Sequence, residues 1–214
     1  SQPSPQEFLD IFEEVKEKQE TLICLSLSSK LSGTYQSACL AKDMVDYENI
    51  YIVDTLTAAA GIRLLCEVAM NWIGENRSVE SIVSGLEELK ERVHIYAGLD
   101  TLEYLAKGGR ISKTAAAIGT LASIKPIICT DHGEVAVAGK TRGVNKATSI
   151  VCEKMQADIV DTLYPVYTLY SYGLENVEKL ESKLDCDVER VRIGSTIGVH
   201  IGPNAFGVCF VGKL

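Results

Sequence analysis

In LSLSSKLSGTYQSA, residues 25–38, Ser28, Ser29, Ser32 and Thr34 crowd around Gly33 where an apolar run gives way to a helical pattern. Hydroxyls combined with the free backbone N–H groups of a helix N-terminus suit a carboxylate or a phosphate. Helix capping by one serine, with the rest as solvated turn residues, accounts for the same composition equally well. A second candidate is KGGR, Lys107 to Arg110, where bare glycine backbone and a guanidinium can approach an anion. Its simpler reading is a helix that ends on Gly108, with a surface arginine beyond it. The G-x-x-x-x-G-K-[ST] spacing of a phosphate-binding P-loop is absent. GKTRG adds Lys140 and Arg142, either a basic spot beside a site or a solvated loop. His200 sits between apolar neighbours in GVHIGP. A hydrogen-bonded structural histidine is the plainer reading there, against a ligand contact or proton donor. No G-x-S-x-G elbow is present, which disfavours a serine hydrolase.

These groups need elements to hold them. Ser4-Pro5-Gln6-Glu7 has the pattern of a capping box with proline at the first helical position, and Phe8, Ile11, Phe12 and Val15 follow at helical spacing. TLICLSL reads as a buried strand, followed by the serine-rich turn and a helix to about Val45. NIYIVDT is the next strand and TAAAGIRLLCEVAMNWI the next helix. Strand, helix, strand, helix implies parallel crossovers, so the serine turn lies at the carboxyl end of a strand, where open α/β sheets bind ligands.

Ser78 opens a further amphipathic helix over VESIVSGLEELKERV, and the texture then changes. VHIYAGLD is a strand; Asp100-Thr101-Leu102-Glu103 has the spacing of a second capping box, before a short helix that stops at Gly108-Gly109. Ser112 can cap KTAAAIGTLASI, and KPIICT and EVAVAG about an Asp131-His132-Gly133 turn predict a hairpin. A helix from about Gly143, the strand PVYTLYSYG, a helix over ENVEKLESKL and the strand DVERVRIG follow. The tail STIGVHIGPNAFGVCFVG reads as a loop into a closing strand. The expected division is residues 1–88, an α/β layer with a mainly parallel sheet, and residues 89–214, an α+β domain with a mixed sheet.

Composition narrows the function. The chain has 214 residues, 46% hydrophobic and 23% charged, with a net charge of −8 that argues against a general nucleic-acid binder. No apolar run approaches the ~18 residues of a membrane span, and no secretory signal is visible. The seven cysteines are odd in number, well separated and without C-x-x-C or histidine spacing, which favours core thiols in a reducing cytoplasm and no metal site.

Several stretches together are specific. SSKLSGTYQSA, LDTLEYLAKGGRIS, SIKPII, KTRG and VHIGPNAFG occur in the order found in the DegV family, the bacterial fatty-acid-binding proteins also called FakB, and the opening SQPSPQEF resembles that family's T-S-x-P-S segment. The resemblance spans essentially the whole chain. It implies a two-domain fold holding one long-chain fatty acid, with no cofactor. It also implies a cytoplasmic carrier rather than an enzyme, one that presents the ligand's carboxyl to a separate ATP-dependent fatty acid kinase. The acyl phosphate so formed feeds phospholipid synthesis, and transient contact with a membrane surface is compatible with that role. Carried over residue by residue, Ser32 matches the hydroxyl that holds the carboxylate and His200 the head-group histidine. Arg142 matches a basic residue near the site or the kinase, Gly33 and Gly202 match close-packing turn positions, and Ser1 falls in the head-group vicinity.

Two departures stand out. Asn204 replaces the family's second glycine in GPGA, where a positive φ is disfavoured for a side chain. The family also begins earlier, with a strand bearing an Asp-Ser dipeptide and a threonine just before the position of Ser1 that helps to hold the carboxylate. The expectation is an N-terminal fragment, or a partner chain, that supplies this segment and pairs the otherwise open sheet edge. The rival reading is an enzyme or binding module for a small phosphorylated or carboxylated metabolite, with Ser32, Arg110 and His200 as its polar site, since a shared fold does not fix function.

Overall fold

The computed structural model of the chain describes residues 2–112 and 124–213. It divides into two compact units, residues 1–58 with 62–91, and residues 92–214 with 59–61.

The first unit begins with α1 (Pro5–Glu17), capped as its sequence requires. The Glu7 amide donates to Ser4 Oγ at 3.4 Å, and the Ser4 amide donates to Glu7 Oε2 at 2.6 Å. Ser4→Ala should remove about 1 kcal/mol of stability, read as a fall of roughly 2–4 °C in the thermal midpoint. Strands β1 (Leu22–Ser26) and β2 (Ile50–Asp54) pair in parallel, Leu22 against Ile50 through Ser26 against Asp54. Helix α2 (Thr34–Val45) crosses between them, and α3 (Ala60–Gly74) and α4 (Val79–Leu89) follow. Leu9, Phe12 and Val15 of α1 close a core with Ala38, Ala41 and Val45 of α2 and Ile50 of β2. Ile11, read as part of the apolar face, is instead 54% exposed.

The second unit is built on a mixed six-stranded sheet. Its strands are β3 (Val93–Gly98), β4 (Ile124–Asp131), β5 (Glu134–Arg142), β6 (Tyr167–Tyr170), β7 (Glu189–Arg192) and β8 (Phe206–Val211), in the order β5-β4-β3-β8-β6-β7. The pairs are antiparallel except β6 with β7. His132 and Gly133, both at positive φ, make the two-residue turn of the β4–β5 hairpin. The last strand is central, and all six of its residues are buried. Phe206 stands opposite Gly98 on β3, and its ring occupies the space a Cβ there would need. Helices α5 (Glu103–Lys107), α6 (Val144–Ala157), α7 (Glu175–Glu181) and α8 (Ser195–Ile201) belong to the same unit. Ala147, Val151, Cys152 and Met155 of α6 join Val177 and Leu180 of α7 and Phe206, Val208 and Phe210 of β8 in its core.

Three expectations are corrected. Residues 195–201 form the helix α8 rather than a loop: β-branched Thr196, Ile197 and Val199, together with Gly198, give it a weak helical signal in the sequence. Lys140 and Arg142 belong to β5, not to a loop, with Arg142 opposite Ile124 at the strand's exposed end. Asp100 caps no helix, because α5 begins only at Glu103 with Leu102 at its cap position, and Thr101 Oγ1 accepts from the Glu103 amide. The helix expected after Ser112, over residues 113–123, lies outside the described residues. All seven cysteines are free thiols. Burial, with Cys39 and Cys66 nearby, pushes Cys24 up to about 11, so that thiol stays neutral. Cys66 and Cys186, however, are exposed. Among the described residues no helix is long and apolar enough to cross a membrane.

Candidate functional site

Both parallel strands of the first unit end in hydroxyl-rich loops. After β1, Ser28 is fully buried and shapes the turn: its carbonyl accepts from the amides of Leu31 and Ser32, and its hydroxyl from the amide of Lys30. After β2, Asp54 Oδ1 accepts from the amides of Ser29 at 3.0 Å and Leu56 at 3.2 Å. The Ser28 amide donates to the Thr57 carbonyl, and Thr55 Oγ1 donates to the Ser26 carbonyl at 2.7 Å. The two loops are thereby stitched into one surface at the strands' carboxyl ends. Leu56 and Ala59 hold φ values of +54° and +48°, a strained region for side-chain-bearing residues other than Asn and Asp. Thr57 Oγ1 is buried without a hydrogen-bond partner among the described residues.

Ser32 sits at the entrance to α2. Its Oγ lies 2.9 Å from Thr34 Oγ1 and accepts from the Thr34 amide at 3.4 Å. Gly33 occupies the cap position and no capping residue's side chain closes the helix, so the first turn of α2 keeps donors for an anion. The Gln2 carboxamide fills the space a Gly33 Cβ would occupy, and its Nε2 donates to Ser37 Oγ at 3.4 Å. This brings the SQPS segment beside the serine turn, a contact between residues 35 apart in sequence. Ser1 lies outside the described residues.

In the second unit, His200 is on the last turn of α8, facing the end of α5. A Cβ built on Gly108 would lie 2.3 Å from His200 Nδ1, so only glycine admits the ring. Burial, and after it the Arg110 charge, hold the His200 imidazole below its usual pKa. The ring is therefore neutral near pH 7, with one N–H to donate. Arg110 folds back to donate to the Gly108 carbonyl, so KGGR is both the helix end and a wall of the histidine's niche. Gly202 ends α8 at φ +77°, with the Tyr104 ring packed where a Cβ would stand. Asn204 has φ +59°, which asparagine tolerates better than most residues. Ser32 and Gly33 thus share one cluster, His200 and Gly202 another, and Arg142 stands at the end of β5. Gln2, Thr57 and Tyr104 are not singled out by the sequence, whereas Gly108 is, as part of KGGR. Gln2 and Tyr104 carry no signal of their own.

The first unit offers hydroxyls and helix donors and the second, by itself, a neutral imidazole; each is a donor set that can meet an anion without a buried ion pair. Among the described residues no group of His, Cys, Asp and Glu is placed to hold a metal ion. The sequence profile described as "Uncharacterised protein, DegV family" matches residues 1–213. The chain belongs to the DegV family. A DegV domain-containing protein of Caldanaerobacter subterraneus is 35% identical over 219 residues, covering 100% of this chain and 78% of the relative. One from Clostridium acetobutylicum is 34% identical, covering 100% and 77%. Among solved structures, a DegV protein from Thermus thermophilus, described for its fatty acid binding, is similar with a TM-score of 0.89 and 31% identity, covering 100% of this chain and 78% of that one. A stearic acid-binding protein from Eubacterium ventriosum is similar with a TM-score of 0.87 and 26% identity, covering 100% and 78%. The DegV fold, with its small parallel sheet and larger mixed sheet, is the fold described above.

Proposed function

We propose that this protein binds one long-chain fatty acid and presents its carboxyl group to a separate fatty acid kinase, as a bacterial cytoplasmic carrier that uses no cofactor and is not itself an enzyme. The observation that carries this reading is the similarity, over the whole chain, to the Thermus thermophilus protein described as binding fatty acid. Ser32, Gly33 and His200 serve as the head-group residues, while Arg142 and Gly202 belong to the head-group vicinity or the kinase contact, together with Ser1. Neutral donors avoid the desolvation cost of a buried ion pair. Burying the tail contributes ~0.8 kcal/mol per methylene, so a sixteen-carbon chain supplies on the order of 10 kcal/mol before the costs of binding. The kinase product, an acyl phosphate, would enter phospholipid synthesis, with release at a membrane surface. A further strand, from an N-terminal segment or a second chain, is proposed to complete the first sheet. Its support is that Leu22 to Leu25 are only half-buried in a sheet of two strands.

Native mass spectrometry of the purified protein should show one retained fatty acid, exchangeable for added palmitate. Ser32→Ala should weaken palmitate binding roughly fivefold, the loss of one hydrogen bond of about 1 kcal/mol, with unchanged thermal unfolding. A protein that neither retains nor takes up palmitate sinks the carrier reading. Unaltered binding with a lowered melting temperature would make Ser32 a structural residue.

A further inference from the structure

We propose that Asp100 is a positioning residue for His200, acting through Asn204; its bearing on ligand binding rests on the carrier reading. Asp100 lies just beyond β3, and the neighbouring Leu99 amide donates to the Pro126 carbonyl of β4 at 3.0 Å. Its carboxylate takes two donors. Lys125 Nζ approaches Oδ1 at 2.5 Å, and Asn204 Nδ2 donates to Oδ2 at 2.8 Å. Burial alone would raise this carboxyl, but the Lys125 and Asn204 hydrogen bonds and the Lys125 charge outweigh it and leave the group below its ordinary pKa. The acceptor is therefore ionised at neutral pH.

The turn after α8 is held on its other side by neutral groups. Ser171 Oγ donates to the Gly202 carbonyl at 2.9 Å and accepts from the Ala205 amide at 3.0 Å, and Asn176 Nδ2 donates to the Asn204 carbonyl at 3.0 Å. Those bonds tie the turn to β6 and α7. The Asp100 bond ties it instead to the segment leading into α5, whose far end brings Gly108 and Arg110 against His200. One carboxylate thus joins the two segments that face each other across the imidazole. Tyr104, on the same short helix, packs on Gly202 and reinforces the register. The left-handed Asn204 backbone aims the amide at Asp100, so an asparagine there supplies a tether that a glycine lacks.

The test uses variants that separate the tether from backbone strain and from charge. Asn204→Gly keeps the positive φ and the net charge but deletes the amide. The readout is the His200 titration, followed by imidazole NMR in the ligand-free protein and assigned with His200→Gln, in the field of the unchanged Arg110. Expected is a rise of the His200 midpoint toward that of a free imidazole, as the ring leaves its packed niche. Pairing Asp100→Asn with Asn204→Asp re-forms the amide–carboxylate bond in reverse and should restore most of the shift. In parallel, [1-13C]palmitate binding should weaken at least fivefold in Asn204→Gly and recover in the swapped pair. A His200 titration that Asn204→Gly leaves unmoved overturns the inference, even if the melting temperature falls. Wild-type protein that fails to bind palmitate overturns the carrier reading instead, and the titration still decides the role of Asp100.

Discussion

Replacing Gly108 with alanine is expected to weaken palmitate binding at least tenfold while the thermal midpoint stays within about 2 °C of wild type. The added methyl would stand 2.3 Å from His200 Nδ1 and 3.2 Å from the Tyr104 carbonyl. Gly108 has φ −76°, so the backbone accepts alanine without strain and the whole effect is steric. Between ring and backbone, the ring moves. On the carrier proposal, in which His200 donates to the ligand carboxylate, a displaced imidazole would forfeit that bond, and bonds to charged groups contribute about 1.5–3 kcal/mol, a factor of roughly 10 to 150. Double-mutant coupling checks the cause. In a His200→Ala background, where the obstructing ring is gone, Gly108→Ala should add little to the loss already present. Full additivity of the two losses would show that Gly108 acts elsewhere.

Gly207→Ala should be strongly destabilising, because the added methyl meets backbone rather than a movable side chain. Gly207 lies in β8 between Ala97 of β3 and Leu169 of β6. Its Cβ would stand 2.5 Å from the Tyr96 carbonyl oxygen, 2.9 Å from Ala97 Cβ and 3.0 Å from Ala97 Cα. At Gly108 the obstacle is the end of a side chain; here it is mostly backbone within a central strand pair. Overpacking costs typically about 1–3 kcal/mol and occasionally more, and a strand clamped on both sides belongs at the upper end. A fall of about 3 kcal/mol corresponds to roughly 6–12 °C in the thermal midpoint for a chain of this size. Calorimetry of the variant checks it, and a midpoint within about 2 °C of wild type would mean that the sheet gives way more easily than this packing allows.

Much of the fold is legible in the sequence because its elements carry local signals. Ser4 and Ser78 cap the helices their spacing announces, the β1-α2-β2 alternation fixes a parallel pair, and His132-Gly133 turns the hairpin. Where local signals conflict with packing they mislead. Helix α8 is poor in helix formers, yet residues 195–201 are helical. Asp100 has the spacing of a cap, but Lys125 and Asn204 claim its carboxylate from 25 and 104 residues away. Ile11 keeps the period of the buried face yet stands in solvent.

The candidate site divides in the same way. The serine turn and its place at a strand's carboxyl end are properties of consecutive residues, so the sequence by itself determined that hydroxyls and helix donors meet around Ser32 and Gly33. It also placed a histidine before a Gly-Pro turn and two glycines after a short helix. That those glycines and that histidine belong together is a tertiary fact: Gly108 and His200 are far apart in the chain, and no periodicity links residues on different helices. Only the folded structure shows that Gly108 is small because an imidazole fills its space, that Gln2 lies over Gly33, and that Asn204 at positive φ gives Asp100 a donor in return for the turn's strain. Local hydrogen bonds and hydrophobic periods are written in neighbouring residues, whereas steric fit and long-range polar pairing exist only once the chain has closed on itself.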